Sequence, residues 1–160
     1  DENSWNGTIK ERMGEASELL TTLVYAMPGM PLIYSGQEYD LNHRLKFFEK
    51  DSIPKTKGNT WNLLTKLGDL KNNHLAFHGG KIAASYERLT TENENVVAFK
   101  RSKEVAEVYF IGNLSNQVQS FILDVEGTYE DLLLNKSLIL NQKKIQLAPW
   151  QYYLLNKVSP

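Results

Sequence analysis

The chain has 160 residues, 18 Lys and Arg against 19 Asp and Glu, and no cysteine. That length can bury a real core in one domain or two small ones, while the balanced charge leaves no field to draw nucleic acid or an anionic membrane to the surface. Without cysteine there are neither disulfides nor thiolate zinc sites, and the redox compartment stays open. No apolar run approaches the roughly 20 residues that span a bilayer, and Asp1-Glu2-Asn3-Ser4 is the opposite of a basic signal peptide, so the chain reads as soluble. An acidic start without methionine is what an internal fragment or processed product shows, and a fragment is the expectation.

Asp1 to Thr8 is polar apart from Trp5 and contains the turn pair Asn6-Gly7, which predicts a loop. From about Ile9 to Met27 the residues Met13, Ala16, Leu20, Val24 and Met27, flanked by Leu19 and Leu23, recur at three- and four-residue steps. Glu15, Glu18, Thr21 and Thr22 occupy the other side, so the pattern predicts one amphipathic helix burying the Met13-to-Met27 stripe. Pro28 and Gly29 end it.

Leu32-Ile33-Tyr34 is apolar without alternation, which suits a short strand covered on both faces as in a parallel sheet, with Gly36, Gln37 and Glu38 at its carboxyl end. Sheets of that kind place ligand chemistry at the carboxyl ends of their strands. A plain helix-turn-strand connection with no function is the alternative. Tyr39 to Lys57 is a charged excursion of nearly twenty residues, either functional or a solvated lid. Thr60 to Asn72, with Trp61, Leu63, Leu64, Leu67 and Leu70, predicts a second helix, with Thr60 a candidate N-cap.

From Lys81 the period changes. Strands are predicted at 82–86, 96–100, 105–111, 119–125, 132–134, 137–140, 144–147 and 150–155, separated by turn residues, which argues for an antiparallel sandwich or meander with a boundary near Gly79-Gly80. Trp150, Tyr152 and Tyr153 either bind carbohydrate or fill the sandwich core. Three Asn-x-Ser/Thr triplets, at Asn6, Asn113 and Asn135, are short enough to arise by chance. His43, His74 and His78 lack carboxylates at metal-ligand spacing, so no metal site is expected.

The block Gly29-x-Pro31-x-x-Tyr34-x-Gly36-x-Glu38, following an apolar helix, resembles the last-strand motif of the alpha-amylase family, glycoside hydrolase family 13. The order of elements is similar along the rest of the chain. The resemblance implies an α+β fragment: residues 1–80 as the last helices and strand of a catalytic (β/α)8 barrel, and 81–160 as an all-β antiparallel C-terminal sandwich. It implies a retaining α-glucan hydrolase as parent, acting on starch or maltooligosaccharide, with nucleophile and acid/base carboxylates on earlier strands, so that this chain alone is inactive. By position Asp1 resembles the aspartate of the family's Asn-His-Asp motif, which favours the oxocarbenium-like transition state. Trp5, Glu38 and Arg44 would lie around the glucan cleft. Trp5 otherwise packs on its own helix, and Arg44 otherwise pairs with Glu38 or Glu49. No cofactor is expected in the fragment, calcium use by the parent stays open, and the resemblance implies a soluble parent of the bacterial, secreted or periplasmic kind. A β domain that binds carbohydrate or is purely structural is the other reading. Severing the barrel would uncover apolar surface, so the fragment is expected to self-associate through it.

Overall fold

The computed structural model describes residues 5–46 and 48–158. These form three layers: helices, a six-stranded sheet, and a two-stranded sheet. The helices are α1 (Ile9–Met13), α2 (Ser17–Ala26) and α3 (Asn59–Asn73). The strands are β1 (Ser85–Arg88), β2 (Val96–Lys103), β3 (Ala106–Asn113), β4 (Gln119–Ile122), β5 (Gly127–Asp131), β6 (Lys136–Leu140), β7 (Lys144–Leu147) and β8 (Tyr152–Lys157). The large sheet runs β1-β2-β3-β8-β5-β6 with antiparallel pairing throughout, and β4 pairs with β7 apart from it.

Alternation along the central strands divides the core in two. Phe99, Val108, Phe110 and Leu154 point toward the helices and meet Leu19, Tyr25, Leu64, Leu67 and Phe77. Their neighbours Ala98, Tyr109, Ile111 and Leu155 point the other way and meet Phe121, Leu123, Ile145 and Leu147 around the small sheet. Both faces of β3 are therefore buried from Val108 to Asn113. Phe99 and Phe110 are directly paired across strands, their rings stacked with centroids 5.3 Å apart.

The first helix departs from its expected form. A capping box opens α1: the Thr8 hydroxyl accepts from the Glu11 amide at 3.2 Å while the Thr8 amide donates to Glu11 Oε2 at 2.8 Å. Gly14, at φ +49, then ends it, and a 3-10 turn over Gly14–Ala16 leads into α2, so the expected continuous helix is broken where glycine makes a left-handed backbone cheap. The break also changes the buried face. α2 buries Leu19, Thr22, Tyr25 and Ala26, whereas the expected stripe is left uncovered at Met13, Val24 and Met27. Thr22 tolerates burial because its hydroxyl bonds the Tyr152 hydroxyl at 3.3 Å.

Leu32-Ile33-Tyr34 is irregular rather than a strand, and it is not buried: Met30 is 94% and Leu32 85% exposed. A strand needs lateral partners for its amides and carbonyls, and the described residues pair none with this segment. Thr60 lies inside α3 rather than capping it, because the helix starts earlier from Gly58 and receives its cap from Asp40. The strand expected at 82–86 is displaced to β1 by a 3-10 turn over Gly80–Ile82. The strand expected at 132–134 is replaced by a turn after β5, where Asp131 Oδ1 accepts from the amides of Leu133 and Leu134, both at 2.9 Å. β4 is shorter than expected, ending at Ile122.

Helices and sheet are joined by one buried cation. The Arg101 guanidinium, from β2, is 1% exposed and donates only to carbonyls: Nε to Ser85 at 2.8 Å, Nη1 to Ala26 and Nη2 to His78 at 2.9 Å each, and Nη2 to Ala84 at 3.4 Å. Lys71 of α3 adds contacts from Nζ to the carbonyls of Tyr25 and Met27, both 3.3 Å. Two cations thus meet the free carbonyls at the negative end of α2. Burial lowers the pKa of both side chains, and proximity to Arg101 lowers that of Lys71 further.

Candidate functional site

After the Leu32-Ile33-Tyr34 segment the chain turns tightly. Gly36 takes φ +91, a 3-10 turn covers Gln37–Tyr39, and Asp40 takes φ +56. The amides of Gln37, Tyr39 and Leu41 donate to Tyr34, Gly36 and Gly36 carbonyls at 2.9, 3.0 and 3.1 Å. The two polar side chains at the end of the motif serve the turn itself. Gln37 Oε1 accepts from the Tyr34 amide at 3.2 Å, and Glu38 Oε2 accepts from the Gly36 amide at 3.0 Å.

Asp40 reaches further. Its carboxylate accepts from the Thr60 amide at 3.4 Å and from the Thr60 hydroxyl, placing a negative charge at the start of α3, where amide hydrogens are unpaired. A side chain at Gly58 would collide with that carboxylate, so glycine there makes the approach possible. Lys57 then sits over the Trp61 ring, 4.2 Å from its centroid, and Tyr39 stacks on the same indole at 5.4 Å.

The long excursion after Tyr39 is tied down at several points. Thr8 donates its hydroxyl to Asn42 Oδ1 at 2.7 Å, and Arg44 Nη1 donates to the Trp5 carbonyl at 3.5 Å. Asp51 accepts from the amides of Lys46 and Ser52 at 3.0 and 2.7 Å and meets His43 Nε2 at 3.3 Å. Those two amides, with His43, hold its carboxyl below the usual carboxylate range.

A cavity of about 470 Å³ opens between α1, the start of α2, the Tyr34-to-Leu45 segment and the first turn of α3. Thr8, Gln37, Asp40 and His43 line it, whereas Trp5, Glu38 and Arg44 do not. Of the residues singled out from the sequence, Arg44 is brought onto the Trp5 backbone, and Glu38 folds back on its own turn. Among the described residues Arg44 forms no ion pair with Glu38 or Glu49, and Glu49 pairs with Lys46 at 3.0 Å. Asp1 lies outside the described residues. What sequence reading missed is Asp40 and Asn42, whose signal was proximity to the Gly36 turn, and the polar wall from α1, which no spacing rule connects to residues thirty positions later.

The C-terminal aromatics divide. Tyr152 stacks on Phe110 at 6.2 Å and packs against the core facing the helices, while Trp150, half-buried at φ +56, is held by its amide donating to the Ser115 carbonyl at 3.1 Å. Asn113 is fully buried, its amide nitrogen donating to the Gln117 and Ala148 carbonyls at 2.7 and 2.8 Å, so that triplet offers no accessible acceptor. Among the described residues no group of three or more His, Asp or Glu is placed to hold a metal ion. No helix among them is long and apolar enough to cross a membrane.

No family model and no curated protein matches the sequence. Solved structures do match the fold. A noncanonic maltogenic alpha-amylase from Thermotoga neapolitana superposes with a TM-score of 0.78 at 17% identity, over 92% of this chain and 37% of that one. An alpha-amylase from Lactobacillus plantarum gives 0.70 at 22% identity, over 95% and 36%. An alpha-amylase from Geobacillus thermoleovorans, complexed with acarbose, gives 0.66 at 16% identity, over 91% and 34%. The chain thus has the fold of part of an alpha-amylase and spans about a third of the length of these structures.

Proposed function

We infer that this chain is the C-terminal portion of an α-glucan hydrolase of the alpha-amylase family. In this reading residues 1–80 are the end of its catalytic barrel and 81–160 its β domain. The observation that carries it is the match of nearly the whole chain to about a third of several alpha-amylases, joined to the Gly29-to-Glu38 motif in the segment between α2 and α3. The uncovered apolar residues support it. Val24, Met27, Met30, Leu32 and Ile33 lie on the outer face of α2 and the segment after it, where a barrel would supply neighbouring strands and helices.

The chemistry of the parent is retaining hydrolysis, in which one carboxylate attacks the anomeric carbon and a second, about 5–5.5 Å away, protonates the leaving oxygen and then activates water. Both belong to earlier strands. Asp1 supplies the third carboxylate, holding sugar hydroxyls more tightly as positive charge develops on the ring. Trp5 offers an aromatic face nearby, and Arg44 fixes the backbone that carries it. Glu38, whose Oε2 accepts from the Gly36 amide, lies with Arg44 around the glucan cleft.

On this reading the 160-residue chain releases no reducing ends from maltooligosaccharides, whereas the product of the open reading frame extended upstream does so with retention of the α-anomer. Turnover by the chain alone, or an extended product without barrel carboxylates, would overturn the assignment.

A further inference from the structure

Three cations gather where the helices meet the large sheet, and none has a carboxylate partner among the described residues. Arg101 Nη1 takes the Ala26 carbonyl, and Lys71 Nζ reaches the carbonyls on either side of it, Tyr25 and Met27, both at 3.3 Å. Lys103 joins through His78, a residue whose carbonyl Arg101 also holds: its Nζ lies 3.3 Å from His78 Nδ1 and 2.6 Å from the Ile82 carbonyl. A neutral carbonyl is a weaker partner for an ammonium than a carboxylate, and a neighbouring guanidinium repels its charge. Burial first and Arg101 second push the Lys71 amine down from its ordinary 10.5. Lys100 and Lys143 are placed oppositely, each raised by a hydrogen bond to its carboxylate partner, Glu87 and Asp124. Lys71 is only half-buried, so a small solute can reach its amine.

We propose that Lys71 is a site of uncatalysed acylation by small acyl phosphates. The cluster that favours the free amine also draws an anionic donor toward it. The neutral amine attacks the carbonyl carbon of the acyl phosphate, a C–N bond forms, and the C–O bond to phosphate breaks. Phosphate leaves with the electron pair, and the surplus amine proton passes to it or to water. The product is an uncharged amide with one N–H for two carbonyls, so the negative end of α2 loses a counter-charge. Acylation thereby loosens the last turn of α2, where the Met27 amide donates to the Leu23 carbonyl at 2.9 Å.

Brief treatment of the folded chain with acetyl phosphate at about pH 7.5, followed by peptide mass spectrometry, compares the lysines within one sample. Lys71 should be acetylated at least about fivefold faster than Lys100 or Lys143, and that lead should vanish in urea. Its rate should also level off at lower pH in the folded chain than in urea. Lys71→Gln, which removes the charge as acylation does, should speed amide exchange of Met27 about two- to fivefold, whereas Lys71→Arg should leave it unchanged. Lys71 reacting no faster than Lys100 and Lys143 in the folded chain, or a lead that persists in urea, would overturn the site. Unchanged Met27 exchange in Lys71→Gln would overturn the effect on α2 alone.

Discussion

Arg101 Nη1 donates to the Ala26 carbonyl at 2.9 Å, so a side chain of the large sheet closes the last turn of α2. Three further carbonyls converge on the same guanidinium, and the planar fork of arginine satisfies several acceptors at once in a way lysine cannot. Replacing it with methionine keeps apolar volume but leaves buried carbonyls without donors. Arg101→Met should lower stability by about 3–5 kcal/mol in urea unfolding, and Arg101→Lys should recover only a minor part.

Asp40 and Gly58 form a coupled pair at the start of α3. Asp40→Ala removes a charged cap and should cost about 1 kcal/mol. Gly58→Ala displaces the same carboxylate and should cost a similar amount. Because both changes break one interaction, the double variant should lose clearly less than the sum of the two, as read by a double-mutant cycle. Simple additivity would mean that the carboxylate does not cap the helix.

His74 makes the fold sensitive to acid. Its Nδ1 accepts from the Ala76 amide and its Nε2 meets Asn156 Oδ1, both at 3.3 Å, which fixes the neutral tautomer with hydrogen on Nε2. Burial chiefly, with His78 nearby, lowers its pKa below the ordinary 6.5, against an opposing effect of Asn156. The unfolded chain therefore takes up a proton that the folded chain refuses, and this contribution to stability is full above about pH 6.5 and is lost as pH falls through the folded pKa. Denaturation midpoints should fall between pH 8 and pH 5.5, and His74→Gln should flatten that part of the profile.

Leu32 and Met30 are almost fully exposed beside Met27 and Ile33. Apolar side chains left in water in a row, on backbone with unpaired amides, favour association. Light scattering should show the chain forming dimers or larger species as concentration rises. Leu32→Asp with Met30→Asp should restore the monomer without altering the unfolding midpoint. A wild-type monomer at all concentrations would contradict this.

The β half was legible because alternation and turn pairs are local: β2, β3, β7 and β8 fall within a few residues of their expected places. β5 was missed because Gly127 to Asp131 carries only Tyr129 as a buried aromatic, while Leu132 to Leu134 looked more strand-like and instead wraps an Asp131 turn. The helical half was legible in content but not in orientation. Two apolar stripes coexist on α2, and only tertiary contact decides that Leu19 and Tyr25 face the sheet while Val24 and Met27 do not. Leu32 to Tyr34 has the composition of a buried strand, yet pairing depends on neighbours that composition cannot supply. For the site, the Gly36 turn was readable from its glycine, but the reach of Asp40 to Thr60 and of Thr8 to Asn42 spans 20 and 34 residues and leaves no local trace.

The most direct measurement is a crystal structure of the chain joined to the residues encoded upstream of it. The account predicts that Leu32-Ile33-Tyr34 becomes a parallel strand hydrogen-bonded on both sides, with Met30 and Leu32 buried and Asp1 facing a cleft that holds two further carboxylates. An upstream region that forms no barrel, or a Leu32 segment still unpaired and exposed beside it, would contradict the account.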